Sequence, residues 1–447
     1  MSTSRNSERI GESFEQPLSA MERLALHIPN ANVVLAVRVR RVIGKEEIES
    51  ALPALRSRHP MLAVRVELRD GNRAFFSSSG VDLPQVSVLG GCEMAQAVSQ
   101  ELQEAFSWER GPMLRLRTIP EKDHTVLLVC AHHAMCDGLS LYYVLRDLVD
   151  WVEGGSFTSP EPCMASIQEA APIPRSSWIE RIMMRLLSRK WRGKGIAFGP
   201  SDTEELHERF WSEHSIHMLT DRLTVEETQA LVAACRQHGI TVGNALTAAC
   251  LKAQAATQSG SSETGTTQVT VSLRNRLHPA ATEALGFYAT RVRVPFEFDT
   301  GRTVWQNASS FSSALAKLMP DDKVFASRRL ERLDPGLIDA LAFVGGGLCN
   351  DPLAKRLLTR MGLDRIFDGL MIANLGLLAQ QDTSSEGAWY AVYGPFVSSP
   401  RTEKYMAAAT VDGRLHLSLS YDEAALPATA ATTFFQQAIQ EVRQLGV

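Results

Sequence analysis

The segment Val126-Leu-Leu-Val-Cys-Ala131-His132-His133-Ala-Met-Cys-Asp137-Gly138-Leu-Ser140 limits what this chain can become more than any other. Its opening run is apolar without a break, the pattern of a strand covered on both faces, so it predicts a sheet buried between other layers. The run ends in two adjacent histidines. Neighbouring strand residues point to opposite faces, so His132 and His133 cannot play the same part. One faces a cavity and the other packs into its own lobe. An imidazole of ordinary pKa, about 6.5, can take a proton from an alcohol or an amine near neutral pH. Asp137 stands where a carboxylate caps a following helix or holds an ion pair. Gly138 lets backbone approach closely and can offer an N–H to a developing oxyanion. The pair of histidines alone would more often be packing or surface residues; the strand before them and the Asp-Gly after them make the segment specific. No metal is expected, because HHxxxD brings no third ligand at helical spacing.

The rest of the chain reads as mixed α/β. A length of 447 residues predicts two large lobes or two to three domains. Residues 1–16 read as a flexible polar arm, 17–151 as an amino-terminal lobe, 152–204 as a crossover rich in Pro and Gly, and 205–447 as a carboxy-terminal lobe. In the first lobe, strands are expected at Val33–Val39, Leu114–Ile119 and His124–Ala131, with helices at Glu46–Arg56, Glu93–Phe106 and Gly138–Trp151. Met61–Leu68 and Asn72–Ser77 flank Asp70-Gly71 as a hairpin. In the second lobe, helices are expected at Val225–His238, Val242–Ala256, 303–317, 334–347 and 427–444. Gln268–Leu273 and Thr290–Glu297 read as strands, and Asp412-Gly413 turns a hairpin between Tyr405–Thr410 and Arg414–Tyr421.

Lys plus Arg is 46 and Asp plus Glu is 50, so the formal charge is −4 and nothing asks for nucleic acid. Seven scattered cysteines without a CxxC pair read as reduced, buried thiols. The polar start MSTSRNSERIGESFEQP lacks an apolar signal core, and no apolar run approaches the ~18 residues of a membrane span. A cytoplasmic protein is the expectation.

His132-His133-Ala-Met-Cys-Asp137-Gly138 resembles the HHxxxDG motif of the chloramphenicol acetyltransferase-like superfamily, and the likeness runs along nearly the whole chain. Leu55-Arg-Ser-Arg-His59-Pro60-Met-Leu62 resembles its RHPxL passage, and Arg110-Gly-Pro112-Met-Leu114-Arg115 its GPLxR strand start. Val271-Ser-Leu-Arg274-Asn-Arg276-Leu looks like the strand whose arginine pairs with the motif aspartate. Leu285-Gly286-Phe287-Tyr288-Ala-Thr290, Ala373-Asn374-Leu375-Gly376 and the hairpin Gly413–Tyr421 resemble three later elements. The DFGWG element of plant alcohol acyltransferases is absent, Ala373 replaces a common Ser or Thr, and Ala289-Thr290 stands where relatives have Asn-Thr.

The resemblance implies two lobes, each a mixed sheet flanked by helices, with a tunnel between them. It implies an acyltransferase, nearest to free-standing condensation domains and polyketide-associated acyltransferases, joining an acyl thioester to an alcohol or amine to form an ester or amide. His133 would be the general base, its basicity set by a backbone carbonyl, and the Gly138 N–H would meet the oxyanion. His132 and Asp137 would be structural, Asp137 pairing with Arg274, while Asn374 and Tyr288 would border the tunnel. No bound cofactor is implied; acyl-coenzyme A or a phosphopantetheinyl acyl carrier protein is the co-substrate. A serine or cysteine nucleophile is not required, Cys136 included. The rival reading is a relative that transfers nothing and serves as a docking module, or a cyclase or isomerase. Loss of the second histidine would favour docking, and His133 is retained. A self-contained tunnel permits a monomer.

Residues 175–194 form a basic amphipathic helix, with Arg181, Arg185 and Arg189 opposed only by Glu180, and Trp178 and Trp191 among its apolar residues. Four readings stay open: a crossover helix with a solvated face, a dock for an acidic carrier protein, a grip on coenzyme A phosphates, or a peripheral membrane contact.

Overall fold

The structure, a computed structural model, describes residues 14–69, 72–157, 162–257, 266–362, 367–378, 388–398 and 402–447. It is a mixed α/β fold of three sheets with helices packed on them. The amino-terminal part supplies β1 (Glu15–Pro17), β2 (Asn32–Val39), β3 (Arg65–Arg69), β4 (Arg73–Ser77), β5 (Val86–Val88), β6 (Leu114–Pro120) and β7 (Thr125–His132). The carboxy-terminal part supplies β8 (Ile216–Arg222), β9 (Thr266–Ser272), β10 (Ala289–Pro295), β11 (Phe367–Leu377), β12 (Trp389–Val397), β13 (Thr402–Val411) and β14 (Arg414–Asp422). The sheet orders are β1-β4-β3, β12-β2-β7-β6-β5 and β10-β9-β11-β13-β14-β8.

The histidine strand behaves as its composition demands. Every residue of β7 is buried, between β2 and β6, both antiparallel to it. Val and Leu side chains enclosed this way contribute roughly 1.5–3 kcal/mol each, so a polar residue in the middle of β7 would be expensive. The histidines are tolerated because they come where the ladder stops.

β12 is the exception to a chain cut cleanly near residue 205. After β11 the chain leaves the six-stranded sheet, pairs Trp389–Val397 antiparallel with β2, and returns as β13, which lies parallel to β11. The amino-terminal sheet therefore has an edge strand drawn from the carboxy-terminal range. The largest buried cluster also runs through both parts, joining Val33, Leu127 and Leu145 to Met371, Ala373 and Ala407.

Several expectations shift. Residues 1–13 of the polar arm lie outside the described residues, and Glu15–Pro17 is no arm but a strand on β4. The Asp70-Gly71 turn also lies outside them, although β3 and β4 pair up to Arg69 and Arg73. Pro60–Ala63 is a short 3-10 helix rather than part of a strand. The 152–204 crossover holds helices Ile167–Ala170 and Trp178–Arg192 and the start of Pro200–Glu213. The turn at Asp412-Gly413 is as expected, with φ of 49° and 70°, a pair of left-handed residues suited to a two-residue hairpin loop. All seven cysteines are free thiols, but Cys163 is exposed and Cys92 half-buried.

A second link between the parts starts from helix Gly138–Gly154. Its Asp147 is buried and accepts from His59 Nε2 at 2.8 Å, Arg146 Nη2 at 2.8 Å, and Arg58. Arg146 continues to Glu283 at 2.6 Å. Burial alone would raise the Asp147 carboxyl; the hydrogen bond from His59 and the two guanidiniums hold it at about 2.

Candidate active site

β7 carries the chain to the junction of the two parts and ends there, so consecutive residues diverge. The His132 N–H donates to Met113 O at 3.0 Å and the His133 N–H to Ala31 O at 2.6 Å. His132 turns inward and is buried; its Nδ1 accepts the Ala134 N–H at 3.2 Å, and burial pushes its ring down to about 3. It is a neutral, packed imidazole edge-on to Phe106.

His133 is half-buried. Its Nδ1 lies 2.7 Å from Cys136 O. A carbonyl can only accept, so Nδ1 carries the proton and Nε2 presents a lone pair. Among the described residues none hydrogen-bonds Nε2, and the Phe287 ring meets the imidazole edge-on with centroids 5.0 Å apart. Burial lowers the His133 pKa, against the Cys136 carbonyl and Asp137, and the Arg291 charge lowers it further. The ring is thus held neutral, the state a base needs.

Asp137 caps helix Gly138–Gly154 and does more than cap. Oδ1 accepts from Ser140 N at 2.8 Å and from Arg274 Nη2 at 3.2 Å, while Oδ2 accepts from Tyr288 N at 2.9 Å. Arg274 also donates to Thr282 O at 2.7 Å, Ala284 O at 2.8 Å and Ser140 Oγ at 2.7 Å. Ser140 Oγ in turn accepts from Gly286 N at 3.1 Å. Asp137 and Arg274, both buried, tie the helix of the amino-terminal part to the 274–288 loop of the other. Sequence reasoning misses Ser140, at the centre of this network. A serine in the first turn of a helix reads as capping chemistry and says nothing of a distant partner.

Gly138 opens the helix, and no acceptor among the described residues takes its N–H. Its lack of a side chain is required by packing: a Cβ would stand 2.6 Å from Pro395 Cγ. Pro395 belongs to β12, so the strand that crosses over also roofs the start of the helix.

Tyr288 is placed differently from the expectation. It is buried in a cluster with Leu273, Leu277 and Phe325, its ring 4.6 Å below the Arg274 guanidinium and its hydroxyl accepting from Ala165 N at 3.4 Å. Its neighbour Phe287 takes the position beside His133. Asn374 borders a cavity of about 430 Å³ with Gly243, Thr270 and Val271, and its Oδ1 accepts from Gly376 N at 2.9 Å. Cys136 is buried and its thiol is pushed up by burial, which removes it as a nucleophile. Arg181, Arg185 and Arg189 stand exposed on helix Trp178–Arg192, with no hydrogen bond to the histidine segment among the described residues.

The arrangement offers a neutral imidazole with a free lone pair and, five residues on, an unclaimed helix-start N–H. The family model described as phthiocerol/phthiodiolone dimycocerosyl transferase C-terminus matches residues 212–317. Malpinin synthetase of Mortierella alpina is 24% identical over 274 residues, 57% of this chain and 3% of that protein, so the chain spans a small fraction of that relative's length. The trichothecene 15-O-acetyltransferase TRI3 of Fusarium sporotrichioides is similar in structure, with a TM-score of 0.65 at 13% identity, over 99% of this chain and 97% of that one. The epimerization domain from the third module of tyrocidine synthetase B gives a TM-score of 0.63 at 14% identity, over 99% and 98%. The chain thus matches that transferase family over residues 212–317 and has the fold of the tyrocidine epimerization domain and the TRI3 acetyltransferase.

Proposed function

We propose that the protein is an acyltransferase that moves an acyl group from a thioester, on coenzyme A or a carrier protein, to an alcohol or amine in natural-product or lipid biosynthesis. The observation that supports this most is the His133 tautomer, with Nδ1 committed to Cys136 O and Nε2 left for a substrate. In the reaction Nε2 takes the acceptor proton as the acceptor oxygen or nitrogen attacks the thioester carbonyl. The oxyanion forms beside the Gly138 N–H, the C–S bond then breaks, and the imidazolium returns its proton to the departing thiolate. A thioester is already activated, so proximity, a base and oxyanion stabilisation suffice. The named acetyltransferase and dimycocerosyl transferase relatives support an acyl transfer of this kind.

The test is thiol release from acyl-coenzyme A and acyl-carrier-protein substrates with pooled alcohols and amines, for wild type beside His133→Ala. Turnover falls roughly 10²–10⁴-fold in the variant, as for loss of a general base, while its melting point is kept. Wild-type release by His133→Ala would overturn the mechanism.

A further inference from the structure

Helix Trp178–Arg192 makes no hydrogen bond to the histidine segment among the described residues, and its two sides are both apolar. The inner side is used: Trp191 is buried in a cluster with Leu206, Leu337 and Phe343, and Ser188 Oγ accepts from Asp334 N at 2.9 Å. The outer side carries Trp178 (65% exposed), Ile179 (60%), Ile182 (47%) and Leu186 (60%). Residues 178, 182 and 186 follow one another at i+4 spacing, so they form one continuous row along the helix. With Ile173 they are half of the ten large apolar side chains exposed among the described residues. A monomer with no use for such a patch would not keep it in one place.

Charge follows the same line. Arg181, Arg185 and Arg189 form the row beside the apolar one, and Lys190 continues the apolar row at its carboxy-terminal end. Among the described residues none forms a hydrogen bond or ion pair with the side chain of any of these four. The helix has one carboxylate, Glu180, and that sits in the first turn 4.0 Å from Arg329.

We propose that this helix seats the protein on an anionic lipid surface. The apolar row enters the boundary between headgroups and acyl chains, and the cations beside it and at its end meet the lipid phosphates. Trp178 at one end supplies the amphipathic ring such boundaries favour. A helix of 15 residues spans about 22 Å along its axis, and among the described residues no helix is long and apolar enough to cross a membrane, so the contact lies in the plane of the surface. An acidic protein partner would satisfy the arginines but gives no reason for Trp178, Ile182 and Leu186 to project beside them. Lipid seating stands whether or not the protein transfers acyl groups.

The test is co-sedimentation of the full chain with phosphatidylcholine vesicles, with and without phosphatidylglycerol. The protein partitions onto the anionic vesicles and not the neutral ones, and added salt releases it. A variant with Arg181→Gln, Arg185→Gln and Arg189→Gln binds on the order of a hundredfold more weakly, at about fivefold per cation. Ile182→Asp with Leu186→Asp abolishes binding; both variants keep the wild-type melting point, since every side chain changed is exposed. Wild type left in the supernatant with anionic vesicles overturns the proposal, as does wild-type sedimentation of the double aspartate variant. Binding of an acidic acyl carrier protein through these arginines, without vesicle binding, also overturns it and assigns the helix to protein docking.

Discussion

Replacing Arg274 with methionine removes the guanidinium that joins the two parts at Asp137. Four contacts disappear: those to Asp137 Oδ1, Ser140 Oγ, Thr282 O and Ala284 O. Asp137 keeps the Ser140 and Tyr288 N–H groups but loses its counter-charge, and two carbonyls lose a donor. Breaking a buried ion pair on one side costs about 3–5 kcal/mol. A chain of 447 residues gains roughly 0.9 kcal/mol/K of unfolding entropy near its midpoint, so the melting temperature falls by roughly 3–5 °C. Differential scanning calorimetry of Arg274→Met, Asp137→Asn and the double variant measures this directly. The pair share Ser140, so the double variant loses less than the sum of the singles, with a coupling of about 1–3 kcal/mol. Single effects that add to within about 0.5 kcal/mol would refute the strut, even if each variant is less stable.

Three further outcomes are expected. Gly138→Ala forces a Cβ to 2.6 Å from Pro395 Cγ, an overpacking that costs about 1–3 kcal/mol, and an unchanged melting point would show that β12 gives way instead. Asp147 has its folded pKa at about 2 against an ordinary 3.8. Its contribution, about 2 kcal/mol, is whole above 3.8 and is lost as pH falls toward 2. Denaturant titrations of wild type and Asp147→Asn should therefore converge across that window, and a constant gap would sink the assignment. Because burial lowers the His133 pKa below 6.5, kcat/KM should rise with pH along an acid limb centred below 6.5; a limb centred above it would contradict a base held neutral by burial.

The histidine segment is legible in the sequence because its signals are local. An unbroken apolar strand, a carboxylate at a helix start and a glycine beside it each have one economical reading, and Val126–Gly138 folds that way. The Asp412-Gly413 hairpin is legible for the same reason. The Asp137–Arg274 contact comes from a resemblance, since no spacing rule joins residues so far apart. Tyr288 escapes because residues 285–288 lie outside any periodic element, where the alternation that separates inside from outside does not apply. The helix Pro200–Glu213 does leave a signal: Pro200 reads as linker punctuation, although a proline after glycine is also how a helix begins. The place of β12 leaves none. No strand is expected at Trp389–Val397, whose residues do not alternate, and no local pattern says which sheet receives it.

That exchange of a strand makes the two parts a single object for any cutting or transplanting. β2 is buried along nearly its whole length, with β12 on one side and β7 on the other. A fragment ending near residue 204 would bare Val33, Val34 and their neighbours along an open ladder, the kind of edge that recruits other chains. The complementary fragment would carry β12 with no sheet to join. Pro395 would also leave Gly138, so the helix that presents the Asp137 network would lose its roof in the same stroke. Neither fragment would be half of this protein; each would be an adhesive remnant, and only their co-expression would return the strand to its place.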